Sequence, residues 1–224
     1  MAATTSVKIL SITPVTHNVR RYKFEKPKGF KFEPGQATEV SIDKEGWRER
    51  KSPFTFTALA EWDNLEFTIK SYFDHPGVTN ELWSLEPGDH LLLRDVWGTI
   101  TYKGPGTFIA GGAGITPFIA ILRRLHTDGK LPGHRLIVSN RTAADIILRD
   151  EFESMQGLDV LWTITDDPTV EGVEHHRIDE AFLKRHIHDI SQNFYLCGPD
   201  DMVKELRGTL EGLGAKTDAV TWEK

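Results

Sequence analysis

The sequence predicts an antiparallel β-barrel followed by an α/β domain with a doubly wound parallel sheet. Two observations carry this expectation. The first half is built of short strands separated by Pro-Gly pairs, and in the second half short apolar strands alternate with helical stretches. The rhythm changes at Gly104-Pro105-Gly106, which gives two domains, 1–104 and 105–224. A length of 224 residues suits one large or two small domains, each with its own core.

In the first half, Val7–Ile12, Val19–Phe24, Ala37–Ile42, Leu65–Lys70 and Leu91–Leu93 mix apolar and polar residues over strand lengths. Pro34-Gly35, Pro76-Gly77 and Pro87-Gly88 mark turns, and one helix is expected near Thr79 to Leu85. Many short strands with such turns are the pattern of an antiparallel barrel or sandwich. In the second half the strand candidates are Thr107–Gly111, Arg135–Ser139, Asp159–Thr165, Asn193–Cys197 and Thr217–Trp222. Phe118, Ile121, Leu122 and Leu125 fall at i, i+3, i+4 and i+7, one face of a helix between the first two strands.

Composition narrows the chemistry. Net charge is −6 and no long basic run appears, so nucleic acid is not an expected partner. The single cysteine, Cys197, excludes a disulfide within the chain and an iron–sulfur cluster on its own thiolates. The first residues lack a signal-peptide pattern, and no apolar run approaches the ~20 residues that span a bilayer. A cytoplasmic protein without a membrane partner is expected. His175-His176 and His186-x-His188 lie in polar sequence without the carboxylate or thiolate neighbours of a familiar metal site, and they read as solvent-exposed histidines.

Two segments carry ligand chemistry. Thr107–Ala110 runs into Gly111-Gly112-Ala113-Gly114-Ile115-Thr116-Pro117, a strand feeding a glycine turn and then a helix. Thr116 is the expected N-cap and Pro117 the first helical residue. A helix start of this kind offers unpaired N–H groups to a pyrophosphate. Gly112-x-Gly114 alone is a weak match to the dinucleotide fingerprint, because Pro117 stands where a third glycine is usual. Its place on the first strand of a doubly wound sheet strengthens it. Ligands bind beyond the carboxyl ends of such strands, so Cys197-Gly198-Pro199, ending the fourth strand and starting the helix Asp200–Leu210, is expected at the same crevice.

In the first half, Thr79 is the expected cap of the barrel helix, with Leu82 three residues on, so no capping box forms. Ahead of it, Arg48-x-Arg50-Lys51 adjoins Ser52-Pro53-Phe54-Thr55, an aromatic and hydroxyl pattern beside cations that suits a flat, phosphate-bearing heterocycle.

These segments, with Phe32-Glu33-Pro34-Gly35-Gln36, occur in the order in which they occur in the ferredoxin/flavodoxin–NAD(P)H reductase superfamily, which the chain resembles over nearly all its residues. The resemblance implies a flavin-binding barrel followed by an NAD(P)-binding α/β domain. It implies an enzyme that moves a hydride from NAD(P)H to FAD, favoured over FMN, and then electrons to an external carrier of the ferredoxin or flavodoxin class. Lys51, Ser52, Pro53, Phe54 and Thr55 would line the flavin, with Phe54 packing on its ring and Thr55 bonding near N5. Lys70 and Tyr72 would run along ring and tail, and Gly77, Val78 and Thr79 would meet its phosphate. Gly112, Gly114, Ile115, Thr116 and Pro117 would hold the dinucleotide, and Cys197, Gly198 and Pro199 would border the nicotinamide, with Cys197 beside its C4. Catalytic roles fall to Cys197 and Thr55.

One departure matters: Ser52 stands where the family has arginine, and serine supplies no bidentate cation. Lys51 or Arg50 would have to compensate; otherwise a reductase of free flavin is an open alternative. A non-catalytic electron-transfer or regulatory subunit, or a nucleotide sensor, are the others. The choice of NADH or NADPH is open: Arg141 suits a 2′-phosphate, whereas Asp166-Asp167 opposes one and Arg177 offsets them. Trp222 packs on the last strand or covers the flavin. A monomer is expected.

Overall fold

The computed structural model describes residues 4–74, 76–98, 100–216 and 220–222. The chain divides into two compact units, Met1–Thr99 with Thr116–Arg124, and Ile100–Ile115 with Leu125–Lys224.

The first unit contains β1 (Thr5–Pro14), β2 (Val19–Glu25), β3 (Gln36–Ile42), β4 (Ser52–Thr55), β5 (Asn64–Lys70), the short helix α1 (Val78–Leu82) and β6 (His90–Gly98). The strands form one antiparallel sheet in the order β4-β3-β6-β1-β2-β5. Just past β4 the two edges meet: Thr57 N–H donates to the Glu66 carbonyl at 2.9 Å, so the curled sheet closes on itself. Inward-facing aromatics fill it, with Phe24 and Phe56 lying 4.7 and 5.1 Å from Phe67, ring to ring. Pro53 fits within β4 because that strand is an edge and need not donate to a second neighbour.

The barrel helix is shorter than its sequence pattern. It opens at Val78 after an extended Gly77 with no side-chain cap, so Thr79 lies inside the first turn and caps nothing. Its end is tied to β2: the Tyr22 hydroxyl donates to the Leu82 carbonyl at 3.0 Å and Arg20 Nη1 donates to the Trp83 carbonyl at 2.7 Å. Burial pushes the Tyr22 phenol up to about 12.

A buried ion pair completes this unit. Glu66, 1% exposed, accepts from Arg123 Nη1 at 2.7 Å and from the Thr57 hydroxyl at 2.9 Å. Arg123 also donates to the Thr57 carbonyl at 2.7 Å, and its guanidinium lies 5.2 Å from the Trp62 ring centre.

The second unit holds β7 (Gly106–Gly111), β8 (His134–Asn140), β9 (Leu158–Ile164), β10 (Asn193–Cys197) and β11 (Val220–Trp222), all parallel, in the order β11-β10-β7-β8-β9. Residues 217–219 of the expected last strand, and the Trp222 side chain, lie outside the described residues. The helices are α2 (Thr116–Thr127), α3 (Arg149–Ser154), α4 (Glu180–His186) and α5 (Asp200–Gly212). Phe182 and Leu183 of α4 and Leu206 and Leu210 of α5 pack with Ile109, Ile137, Phe194 and Leu196 on one face of the sheet. On the opposite face Phe152 of α3 lies 6.5 Å from Trp162. The sheet is thus wrapped on both sides.

The strand order reverses between β7 and β10, which makes their carboxyl ends the switch point of the sheet. A helical turn of the tight 3₁₀ type, Gly112–Ile115, follows β7 and leads into α2. The helical path therefore opens four residues before Thr116, which continues a helix where a cap was expected. The reason is steric. A Cβ on Gly114 would lie 2.3 Å from the Cys197 carbonyl oxygen, and one on Gly198 would lie 3.0 Å from the Gly111 nitrogen. The two loop backbones touch, and side chains between them are excluded.

Gly114→Ala is expected to destabilise the second unit by roughly 1–3 kcal/mol, the usual range for overpacking. Urea unfolding measured against the wild type checks this, and an unchanged midpoint would contradict the close approach.

Candidate functional site

At the switch point, Gly112 adopts φ +51° with no atom within 4 Å of where a Cβ would stand. The side-chain position of Gly112 thus faces open space, and a helix start of this kind is a place where an anion can bind. Pro117 is buried in the first turn of α2. Cys197, 4% exposed, ends β10 opposite Ala110, and Pro199 stands as the N-cap of α5. The structure thus brings Gly112, Gly114, Ile115, Cys197 and Gly198 together, as expected for one crevice.

Arg141 lies just beyond β8 and is mostly exposed. Its Nε donates to Asp166 Oδ2 at 2.7 Å, and Asp166 Oδ1 accepts from the Thr165 hydroxyl at 2.8 Å. Arg141 first, then Thr165, holds the Asp166 carboxyl below the usual carboxylate range, so it is charged at neutral pH. The Arg141 guanidinium is raised by the same pair. Arg177 lies 3.7 Å from Glu205. The Arg141–Asp166 pairing follows from the parallel register of β8 and β9, which the sequence does not display.

In the first unit, β4 pairs with β3 so that Ser52, Pro53, Phe54 and Thr55 oppose Val40, Glu39, Thr38 and Ala37. Phe54 is half-buried and packs 5.9 Å from Phe67. Thr55 is buried. Lys51 Nζ lies 3.7 Å from Glu39, and the Arg50 guanidinium stacks 4.8 Å from the Trp47 ring. Both cations near Ser52 are thus engaged with neighbours. At the far end of β5, Lys70 Nζ lies 5.9 Å from the Tyr72 ring, and Tyr72 and Phe73 are exposed. Between them, the buried Ser71 hydroxyl has no hydrogen-bond partner.

The donor sets fit their expected ligands. An unsatisfied hydroxyl beside exposed aromatics and a lysine suits a flavin and its hydroxylated tail. An open glycine turn suits a pyrophosphate. The sequence places Ser71 in the Lys70-Ser71-Tyr72 strand along the flavin without a separate role, and it gives none to Asn140, whose buried side-chain amide has neither its nitrogen nor its oxygen satisfied.

Among the described residues no group of three metal-binding side chains occurs. The histidine pairs are not uniformly exposed: His175 Nε2 lies 2.9 Å from the Val170 carbonyl, and His186 packs 4.5 Å from the Phe182 ring, which half-buries both. No helix among the described residues is long and apolar enough to cross a membrane.

Comparison with known proteins agrees with this layout. The oxidoreductase NAD-binding domain family matches residues 108–208. The reductase component of propane 2-monooxygenase from Mycolicibacterium goodii is 27% identical over 96% of this chain and 66% of its own length. NADH-cytochrome b5 reductase 1 of Bos taurus is 27% identical over 88% of this chain and 78% of its own. Three of the curated relatives are spanned over only 61–66% of their length. A ferredoxin NADP+ reductase from Neisseria gonorrhoeae with bound FAD and NADP shares the fold, with a TM-score of 0.84 at 21% identity, covering 100% of this chain and 99% of that one. The FAD/NAD-binding domain of nitric oxide dioxygenase from Vibrio cholerae does so at 0.87 and 20% identity, over 97% of each. The family match covers residues 108–208 of the chain, and the solved structures show a fold shared with these reductases.

Proposed function

We propose that the protein is a reductase that draws electrons from NADH through FAD and delivers them to a separate acceptor protein of the ferredoxin or flavodoxin class, or to an oxygenase component. The observation that carries this reading is the glycine turn pressed against the Cys197–Gly198 peptide at the switch point of the parallel sheet. Residues 1–104 would form the flavin domain and 105–224 the dinucleotide domain. FAD, when bound, accepts the reducing equivalents of NADH and releases electrons onward.

The chain's own residues bind and orient. The backbone N–H groups of the Gly112–Ile115 turn hold the pyrophosphate, and Thr116 and Pro117 fix the helix that follows. Cys197 borders the nicotinamide and packs against its reacting edge. Phe54, Thr55 and Tyr72 orient the flavin ring, the Ser71 hydroxyl and Lys70 meet its tail, and Gly77–Thr79 meets its phosphate. Asp166 selects the coenzyme: its carboxylate, charged at neutral pH and already holding Arg141, repels a ribose 2′-phosphate.

A second reading, reduction of free flavin, is favoured by Ser52. Neither nearby cation replaces the family arginine, since Lys51 is paired with Glu39 and Arg50 rests on Trp47.

Purified protein is expected to be yellow and to keep FAD through gel filtration, and anaerobic NADH is expected to bleach it more efficiently than NADPH. Asp166→Ser should narrow that preference by roughly two- to fivefold, the scale of an exposed charge interaction. A colourless protein that takes up no added FAD would overturn the proposal; reversible loss of FAD with retained activity on free flavin would favour the second reading. Cys197→Ala should slow flavin reduction roughly ten- to hundredfold in single turnover while changing dinucleotide affinity little. Unchanged reduction rates would remove Cys197 from the mechanism.

A further inference from the structure

Asn140 ends β8, and its side chain is only 4% exposed, yet neither Nδ2 nor Oδ1 has a hydrogen-bond partner. Buried amides in folded proteins are nearly always paired, because an unpaired one forfeits its bonds to water without replacement. Nearby groups engage only the backbone of Asn140: Thr165 N–H donates to its carbonyl at 3.0 Å.

The register gives its position. Ile137 belongs to the core beneath α4 and α5, so Asn140, three residues on, lies on the opposite face with Leu136 and Val138. Val138 pairs with Ala110 and Ser139 with Gly111, so Asn140 stands one residue beyond the last pair, at the carboxyl edge. There β8 packs against the Gly112–Ile115 turn. The unsatisfied amide and the Gly112–Ile115 turn therefore lie together at the carboxyl edge of the sheet.

We propose that Asn140 is a dinucleotide-binding residue whose side-chain amide hydrogen-bonds a ribose diol of the coenzyme. This rests on the reading of the second unit as a dinucleotide site. The amide offers a donor and an acceptor side by side. A phosphate oxygen answers only the donor, whereas a pair of sugar hydroxyls answers both. The end of the second strand is also where doubly wound sheets read the ribose, ordinarily with a carboxylate. Ser139-Asn140-Arg141 has none, and the neutral amide takes its place.

The test uses the full chain loaded with FAD and titrated with NAD+ and, separately, with inorganic pyrophosphate. Asn140→Leu, close in shape and apolar, should weaken NAD+ binding roughly tenfold, leave pyrophosphate binding unchanged, and raise the Tm of the dinucleotide-free protein by about 2–4 °C. Asn140→Ser repeats the affinity measurement should the leucine variant fail to fold. Unchanged NAD+ affinity in both variants would overturn the assignment, as would a parallel loss of pyrophosphate affinity, which would move the amide to the phosphates. A wild-type protein that binds neither probe would instead overturn the dinucleotide reading itself.

Discussion

The close approach of two backbones at the reversal of the parallel sheet is the constraint on which the rest depends. With no side chain at Gly111, Gly114 or Gly198, the turn after β7 rests directly on the peptide after β10. That contact accompanies the tight turn Gly112–Ile115, which opens the helical path ahead of Thr116. It also fixes Cys197 at the end of β10, buried at the same crevice. Any larger residue at Gly114 would force the loops apart and separate the Gly112–Ile115 turn from the Cys197–Gly198 peptide.

The first unit is held by different physics. Its core is a cluster of aliphatic and aromatic side chains, and Glu66 and Arg123 form a buried ion pair within the unit. Taking two charges from water is costly, and the arrangement holds because each finds further partners: the Thr57 hydroxyl for Glu66, and the Thr57 carbonyl for Arg123. Removing either charge would strand the other. Arg123 is carried by α2, the helix that grows out of the glycine turn.

The two-part architecture was legible because strand-length patterns and Pro-Gly punctuation are local signals, as is the glycine turn after an apolar strand. What depends on register was not. Asn140 and Arg141 are neighbours in sequence, but the pleat buries one and exposes the other, and only pairing with β9 brings Asp166 to Arg141. Thr79 looked like a cap because threonine often is one; the extended Gly77 opened the helix earlier. β4 is absent from the strand candidates of the sequence, and Pro53 is accommodated there because the strand is an edge. The sequence carries no signal for Arg123, since nothing local announces a buried glutamate 57 positions away.

Amide hydrogen exchange with and without NAD+ tests the central claim most directly. Selective slowing of exchange in the Gly112–Thr116 turn and around Gly198, with the amino-terminal edge of the parallel sheet unaffected, is the result this account requires. Protection confined to other segments, or none at saturating NAD+, would contradict it.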